Sequence, residues 1–489
     1  MVASGVVLVA AACHHDAVAP MAPGKPGNPI EPTEPVKPSI ASVQIAPRDT
    51  GMVRQDTLRF TATVYDETAD TVTDLSGHAI TWSSSNQQVA TISLAGVLTA
   101  VATGTTTVSV QIDSLADTTQ LQVFAPFDSV SQLSVGPFDS CAIRGNPSRT
   151  YCWGWNVNGD VGNGTVSGPG VAHAMRDSFY VYFPSPVVGS QTFVQVSAGY
   201  IHTCAIATGG SAYCWGDNEV NQLGDGTTTA RGIPTPVLGG LSFKQVSASR
   251  ERAHSCAVTP NGAAYCWGRN GFGQLGDSSE FDRATPTLVK GKLSFAQVSA
   301  GAYGSCGLTT SGALYCWGST LGNVSDYGTS PTPVTTQSTF TQVSASEDYR
   351  CALATGGTVY CWGENWFGQL GDGTTTTRLA LEPVSGHHTF TQVVTGWSHT
   401  CALTSDGTAY CWGDDSSGQL GDGNAEGQSS IPVQVSGGLH FRSLSADLRV
   451  TCGITADADA RVYCWGSNVD MSGTIDKQSH STPVPIVMP

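Results

Sequence analysis

Lysine is scarce in this chain: six residues in 489, with no basic run anywhere and a formal net charge of −16. That excludes a nucleic-acid or anionic-membrane surface, which needs clustered Lys and Arg. Charged residues of either sign make up only 12% of the chain. No stretch of ten or more residues repeats apolar side chains with a 3.6-residue period, so helices are not expected. Cys-x-x-Cys pairs are missing, which removes the usual zinc spacing. The phosphate-loop spacing Gly-x-x-x-x-Gly-Lys is also missing, as are Gly-x-Ser-x-Gly, His-Glu-x-x-His and Ser-x-x-Lys. Catalysis is therefore not expected, nor is any cofactor.

What the chain has in quantity is glycine (57), proline (25) and cysteine (15). With abundant Thr, Ser and Val, this reads as short strands joined by tight turns, an all-β chain long enough for several domains. Fourteen cysteines fall into seven local pairs and Cys13 is left over. So many cysteines point to an oxidising compartment.

The apolar run Val6 to Ala12 is too short to span a bilayer and ends in Ala10-Ala11-Ala12 before Cys13. It resembles a bacterial lipoprotein signal peptide, cut before a cysteine that receives the lipid. The expected division is a signal peptide over 1–12 and a lipid-anchored stalk over 13–39, giving an extracytoplasmic, membrane-anchored protein at the cell surface or outer membrane. The alternative is an ordinary secretory signal. Prolines at 20, 23, 26, 29, 32, 35 and 38 keep the three-residue period of a polyproline II helix, which suits a stalk.

Residues 40–125 alternate with period two. Leu58, Phe60, Ala62 and Val64 are expected to face a core that Val108, Val110 and Ile112 share. Ile80-Thr81-Trp82-Ser83, followed by Val89-Ala90-Thr91-Ile92 and Gly96-Val97-Leu98-Thr99, resembles the bacterial Ig-like domains of intimin and invasin type. The resemblance implies a small β-sandwich acting as a spacer.

Residues 126–489 carry Tyr-Cys-Trp-Gly seven times, its Cys at 152, 214, 266, 316, 361, 411 and 464, at intervals of 62, 52, 50, 45, 50 and 53 residues. Such intervals are those of propeller blades. Each repeat aligns on Phe-x-Gln-Val-Ser-Ala-Gly-x-x-His-Thr-Cys-Ala-Leu, Tyr-Cys-Trp-Gly, Gly-Gln-Leu-Gly-Asp-Gly and Pro-x-Pro-Val. Three-residue hairpin loops such as Thr259-Pro260-Asn261-Gly262 and Thr404-Ser405-Asp406-Gly407 set the two cysteines of a repeat opposite one another. Opposed residues at such a site lie within disulfide reach. The expected pairs are Cys141–Cys152, Cys204–Cys214, Cys256–Cys266, Cys306–Cys316, Cys351–Cys361, Cys401–Cys411 and Cys452–Cys464. The terminal strand around Thr482 to Ile486 is expected to complete the blade begun by the first three strands, leaving no open edge.

These motifs resemble the repeats of the regulator of chromosome condensation, a family of seven-bladed β-propellers. The resemblance implies a seven-bladed ring behind the Ig-like sandwich. The founding member's guanine-nucleotide exchange is not carried over to an exported, acidic, disulfide-bonded chain, since no exchange residues can be placed on it. Secreted bacterial relatives, among them an inhibitor of β-lactamases, resemble the chain better. The expected function is a surface-anchored binding or scaffold protein for a protein or glycan; the alternatives are a secreted-enzyme inhibitor and an exchange-factor-like regulator. A monomer is expected, touching the membrane only through its anchor.

Two positions invite a metal reading. His202, His254 and His399 each precede a blade's first Cys by two, but the other repeats carry Asp139, Gly304, Tyr349 and Val450 there, which favours a framework role. Asp225, Asp277, Asp372 and Asp422 supply one carboxylate per loop, too few for calcium. No metal site is assigned. The connections between the Val-Ser-Ala strand and the first Cys vary while their flanks repeat, and they are rich in residues that dominate interfaces. The candidate binding ring is Phe138, Tyr200, Arg250, Arg252, Tyr303, Tyr349, Trp397 and Arg449. The competing possibility is that these side chains pack between blades, in which case binding shifts to the loops around Trp155, Phe272 and Trp366.

Overall fold

The computed structural model describes residues 39–145, 147–166, 180–250, 253–319, 328–425, 427–467, 474 and 478–489. Cys13, the leader, the stalk and Arg252 lie outside the described residues. Every described element is a β-strand, and no described helix is long and apolar enough to cross a membrane.

Nine strands, from Ser42–Ala46 to Leu115–Pro126, build the Ig-like unit. Its main sheet orders Thr50–Val53, Leu115–Pro126, Gly104–Ile112 and Ile80–Ser84. The period-two pattern does what alternation requires: Phe60, Val64, Val108, Val110 and Ile112 are buried in one core, with Trp82 packed on its edge. No cysteine contributes there, so the sandwich is held without a disulfide.

Seven four-stranded antiparallel sheets follow, each made of consecutive strands: Val130–Val135, Asp139–Arg144, Arg149–Trp155 and Tyr180–Pro186 form the first. The hairpin loops turn on glycine, as at Gly262 (φ 89°) and Gly407 (φ 85°), where an L side chain would be strained. Each hairpin sets its two cysteines in register, and all seven local pairs are disulfide-bonded with Cα–Cα separations of 4.0–4.1 Å. Loops this short restrict the unfolded chain by roughly 2–3 kcal/mol each in the chain-entropy account.

Blades are joined by a repeated side-chain device. Gln132 of blade one donates from Nε2 to the Val196 carbonyl (2.8 Å) and accepts the Val196 N–H at Oε1 (2.7 Å). The same bridge recurs from Gln195 to Val246, Gln245 to Val298, Gln297 to Val343, Gln342 to Val393 and Gln392 to Leu444. The serine two residues on caps the next open N–H, as Ser197 does for Ala248 (3.0 Å). The motif tryptophans lock the blades further out: Trp267 donates to the Gln222 carbonyl at 2.9 Å. Its indole lies against Gly224, where a Cβ would approach within 2.8 Å. The Gly-Gln-Leu-Gly segment is thus a socket for the next blade's tryptophan, and an apolar cluster fills each seam around it.

The ring closes differently from the expectation. The strand His480–Pro485 pairs with Val462–Gly466 inside blade seven, and the first blade supplies its own outer strand, Tyr180–Pro186. Closure therefore combines packing with hydrogen bonds: Phe127, Val130, Val135 and Trp153 of blade one meet Val450, Ile454, Val462 and Ile486 in one cluster, while the Phe127 N–H donates to the Ile486 carbonyl (3.0 Å), the Ser129 N–H to the Asp459 carbonyl (2.7 Å) and Arg442 to the Val130 carbonyl. Ser443 stands where the other blades carry glutamine, while Ser445 Oγ accepts the Val135 N–H at 2.9 Å. The last residues do leave blade seven: Val487–Met488 pairs with Pro126 and Ala125 at the end of the long Ig-like strand. There Val487 packs with Val53, Phe124 and Phe183, tying sandwich, first blade and C-terminus together.

Ile486 and Val487 are fully buried, and burying such a side chain stabilises by about 1.5–3 kcal/mol. Removing residues 486–489 is expected to lower the melting temperature of the whole propeller by several degrees in calorimetry. An unchanged transition would show that the C-terminal segment has no part in closure.

Candidate functional site

The residue two before each blade's first cysteine begins the second strand and faces the next blade. His202 Nε2 lies 2.9 Å from Ser255 Oγ, His254 Nε2 2.9 Å from Ser305 Oγ, and His399 Nε2 2.8 Å from Thr451 Oγ1. Thr203 donates to Asp139 at 3.0 Å in the same way. All three histidines are fully buried, and desolvation pushes their protonation down to about 3. They are neutral latches between blades, each Nε2 committed to a hydroxyl. Gly304 breaks the series, and the side chain of Arg350 from the next blade fills the space a Cβ would take, donating to the Ser319 carbonyl at 2.6 Å.

Tyr349 occupies this latch position in blade five, and its placement in the binding ring is corrected. The ring is fully buried. Its hydroxyl accepts from Thr400 (3.1 Å) and donates to the His399 carbonyl, and burial pushes its ionisation up. Tyr349 is blade five's counterpart of His399, a match visible in the repeat alignment once the latch position is separated from the connection before it.

The true connections converge at the axis. Phe138, Tyr200, Arg250 and Trp397 line one cavity of about 180 Å³ together with Ser346, Glu347, Asp447 and Leu448. These residues come from six blades. A register explains the convergence: Tyr200, Arg250, Glu347, Trp397 and Leu448 each directly follow the position held by glycine in Val-Ser-Ala-Gly. Phe138 comes one residue later, behind Pro137, and packs edge-on against Tyr200 with centroids 5.1 Å apart.

Arg250 crosses the ring. Its Nε lies 3.3 Å from Asp447 Oδ2 of blade seven, and its Nη1 donates to the Thr395 carbonyl of blade six. It floors the cavity as a strut. Burial raises Asp447 to about 6, against the opposing pull of Arg250. Arg449 sets its guanidinium over the Trp397 ring at 5.8 Å, leaving Trp397 42% exposed. Tyr303 stands apart from the cavity, its ring against Phe272 at 5.1 Å. Of the other loop aromatics, Trp155 packs on Tyr180, whereas Trp366 is exposed.

The candidate ring omitted Ser346, Glu347, Asp447 and Leu448. The signal for Asp447 was in the sequence: it replaces the glycine of Val-Ser-Ala-Gly in blade seven, as Ser346 does in blade five. Glu347 falls at the same register as Trp397 but does not stand out as an aromatic or arginine.

The buried latches give stability a pH dependence. A histidine with an ordinary value of 6.5 depressed to about 3 contributes stability that is complete above 6.5 and is lost as pH falls toward 3. Asp160, raised to about 8 by burial, and Asp447, raised to about 6, act with the opposite sign, disfavouring folding as pH rises above about 4. Replacing His254 by Gln should therefore narrow the fall in melting temperature between neutral and mildly acid pH. An identical pH profile in the variant would remove the histidine from that account.

The sequence matches the RCC1-like domain family over residues 168–488 and the bacterial Ig-like domain (group 2) over residues 39–123. Among curated proteins, human HERC4, a probable E3 ubiquitin-protein ligase, is 43% identical over 100 residues, covering 20% of this chain and 9% of HERC4. The ultraviolet-B receptor UVR8 of Arabidopsis thaliana is 30% identical over 173 residues, covering 35% of this chain and 36% of UVR8. Those stretches span well under two thirds of either relative. Human WBSCR16 superposes on the fold with a TM-score of 0.60 at 20% identity, covering 70% of this chain and 94% of its own. Prp20p of Saccharomyces cerevisiae gives 0.57 at 18%, covering 68% and 84%. Seven sheets of one repeated pattern, their tryptophan sockets and a family match spanning most of the propeller agree, and the chain belongs to the RCC1-like domain family, with a bacterial Ig-like domain ahead of its propeller.

Proposed function

We propose that this chain is an exported, surface-anchored binding protein that captures a protein partner on the axial face of its propeller. The observation that carries the reading is the convergence of variable residues from six blades on one cavity, within a framework whose repeated side chains are engaged in holding blades together. Variable residues gathered where six repeats meet are what a recognition surface requires. Tyr200 and Trp397 are of the types that anchor protein interfaces. The fold serves protein contact in Prp20p, which has binding properties toward Gsp1p and histones; that is a precedent at the level of fold. Export and anchoring rest on Ala10-Ala11-Ala12-Cys13 and on seven disulfides that an oxidising compartment would maintain.

The test uses the full chain as bait in surface extracts of its source organism, beside Trp397→Ala and Tyr200→Ala. One specific protein should be captured by the parent chain. Each variant should bind it more weakly by about 1–3 kcal/mol while melting at the parent temperature. Equal capture by all three, or a large loss of stability with unchanged affinity, would move the binding face to the loops around Trp155, Phe272 and Trp366.

A further inference from the structure

The underside of the ring, at the strand ends opposite the axial cavity, is sealed by a repeated bond. In blades two to six a hairpin-loop glycine accepts, at its carbonyl, the N–H of the next blade's first phenylalanine, as Gly262 does from Phe295 and Gly407 from Phe441, both at 2.8 Å. The hairpin of blade one is a residue longer, its cysteines 11 positions apart against 10 in blades two to six. There the Phe193 N–H makes no such bond among the described residues. A groove of about 780 Å³ opens instead, between the hairpin and the 186–193 connection to blade two. The matching groove below blade five measures about 420 Å³.

The walls of this groove run against the character of the chain. In a protein of net charge −16, its described lining includes two arginines and no carboxylate. Arg144 is already answered by Asp128, Nη2 to Oδ1 at 2.7 Å. Arg149, opposite it at the hairpin stem, is exposed, and its guanidinium has neither ion pair nor hydrogen bond among the described residues. Arg461, at the matching place in blade seven, is bound to Asp459. Thr150 stands where every other blade buries an alanine, leucine or valine, and its enclosed hydroxyl has no partner. A polar group left enclosed and unpaired is costly, so an occupant that bonds it is favoured. Ser148, Ser190 and Thr192 add hydroxyls that no described residue engages.

We propose that this groove is a second binding site, for an acidic saccharide: Arg149 holds a sugar carboxylate, and the hydroxyl-lined walls hold the ring hydroxyls around it. A guanidinium presents paired N–H groups that match the two oxygens of a carboxylate. Side-chain hydroxyls both donate and accept, as a polyol does. A peptide adding as a strand needs an open backbone edge, whereas this connection is bonded back on the blade, the Val187 N–H to the Thr150 carbonyl at 2.9 Å. The volume falls within the roughly 300–1,000 Å³ of small-ligand sites. Lying away from the axial face, the site stands or falls independently of protein capture there.

The experiment titrates the intact chain with trigalacturonic acid, its uncharged trimethyl ester, and an acetylated, amidated peptide of three glutamates, read by saturation-transfer NMR. The acid should bind roughly fivefold or more tighter than the ester, tighter also than the peptide, and should weaken as salt is raised. Arg149→Gln should bring the acid down to the affinity of the ester and leave the ester unchanged. Ser190→Phe, which sets a ring into the groove from an exposed connection, should weaken both. Arg461→Gln and Trp397→Ala, each away from the groove, should change neither. Melting curves confirm folding, and the exposed Arg149→Gln change carries the test if the phenylalanine variant does not fold. Equal affinity for acid and ester, tighter binding of the peptide, no binding of the acid in the millimolar range, or unchanged selectivity in Arg149→Gln would overturn the site.

Discussion

The innermost strand of every blade has one edge turned away from its own sheet, and the N–H and C=O groups along that edge need partners. Glutamine supplies them across the seam: one amide side chain both donates to and accepts from the backbone of the next blade, at Val196, Val246, Val298, Val343, Val393 and Leu444. Six of seven seams are bridged this way. The device turns seven separate sheets into a ring without merging them into one continuous barrel, and it satisfies edges that would otherwise invite pairing with other chains. Hydrogen bonds of this kind each contribute about 0.5–1.5 kcal/mol net. Leaving such a group buried and unmade costs more, so a partly bridged ring is penalised at every gap. The seventh seam, lacking the glutamine, is joined by the large apolar cluster around Phe127, Trp153 and Ile486 together with hydrogen bonds from Arg442 to the Val130 carbonyl and from the Val135 N–H to Ser445.

Because the glutamines, the tryptophan sockets and the histidine latches hold the blades, the residues just beyond Val-Ser-Ala are released from structural duty. Each can be chosen for what it presents to the axis. Tyr200, Arg250, Glu347, Trp397 and Leu448 occupy one register on five blades, yet they range over aromatic, cationic, acidic and aliphatic side chains. The Arg250 strut shows the freedom in use: a side chain from blade three reaches the opposite side of the ring and closes its centre. The Ig-like unit enters the same logic at its far end, where its long last strand runs into Phe127 and pairs with Val487–Met488. Whatever holds the sandwich thereby orients the first and last blades.

Much of this was legible in the residues. Tyr-Cys-Trp-Gly spacing gives seven blades, hairpin loops set the cysteines opposite each other, and alternation over Leu58 to Val64 gives the sandwich core. What could not be read was which of two adjacent variable positions faces the axis, because a turn of one residue exchanges inward for outward. Tyr349 was placed on the surface by its neighbours in sequence, whereas its register makes it a latch. Glu347 and Asp447 were passed over because a carboxylate in an acidic chain carries little information until its surroundings are known. The blade to which the last strand belongs was likewise invisible, since a Pro-x-Pro-Val strand fits either the first or the seventh sheet.

The dependence of the ring on its glutamine bridges is open to direct measurement by native-state hydrogen exchange. The amides of Val196, Val246, Val298, Val343, Val393 and Leu444 lie on sheet edges, where exchange is ordinarily fast. If glutamine holds them, they should exchange only through global unfolding, and Gln297→Ala should release the Val343 amide before its neighbours within the same strand. Exchange of these six amides at the rate of exposed loop residues in the parent protein would contradict the account.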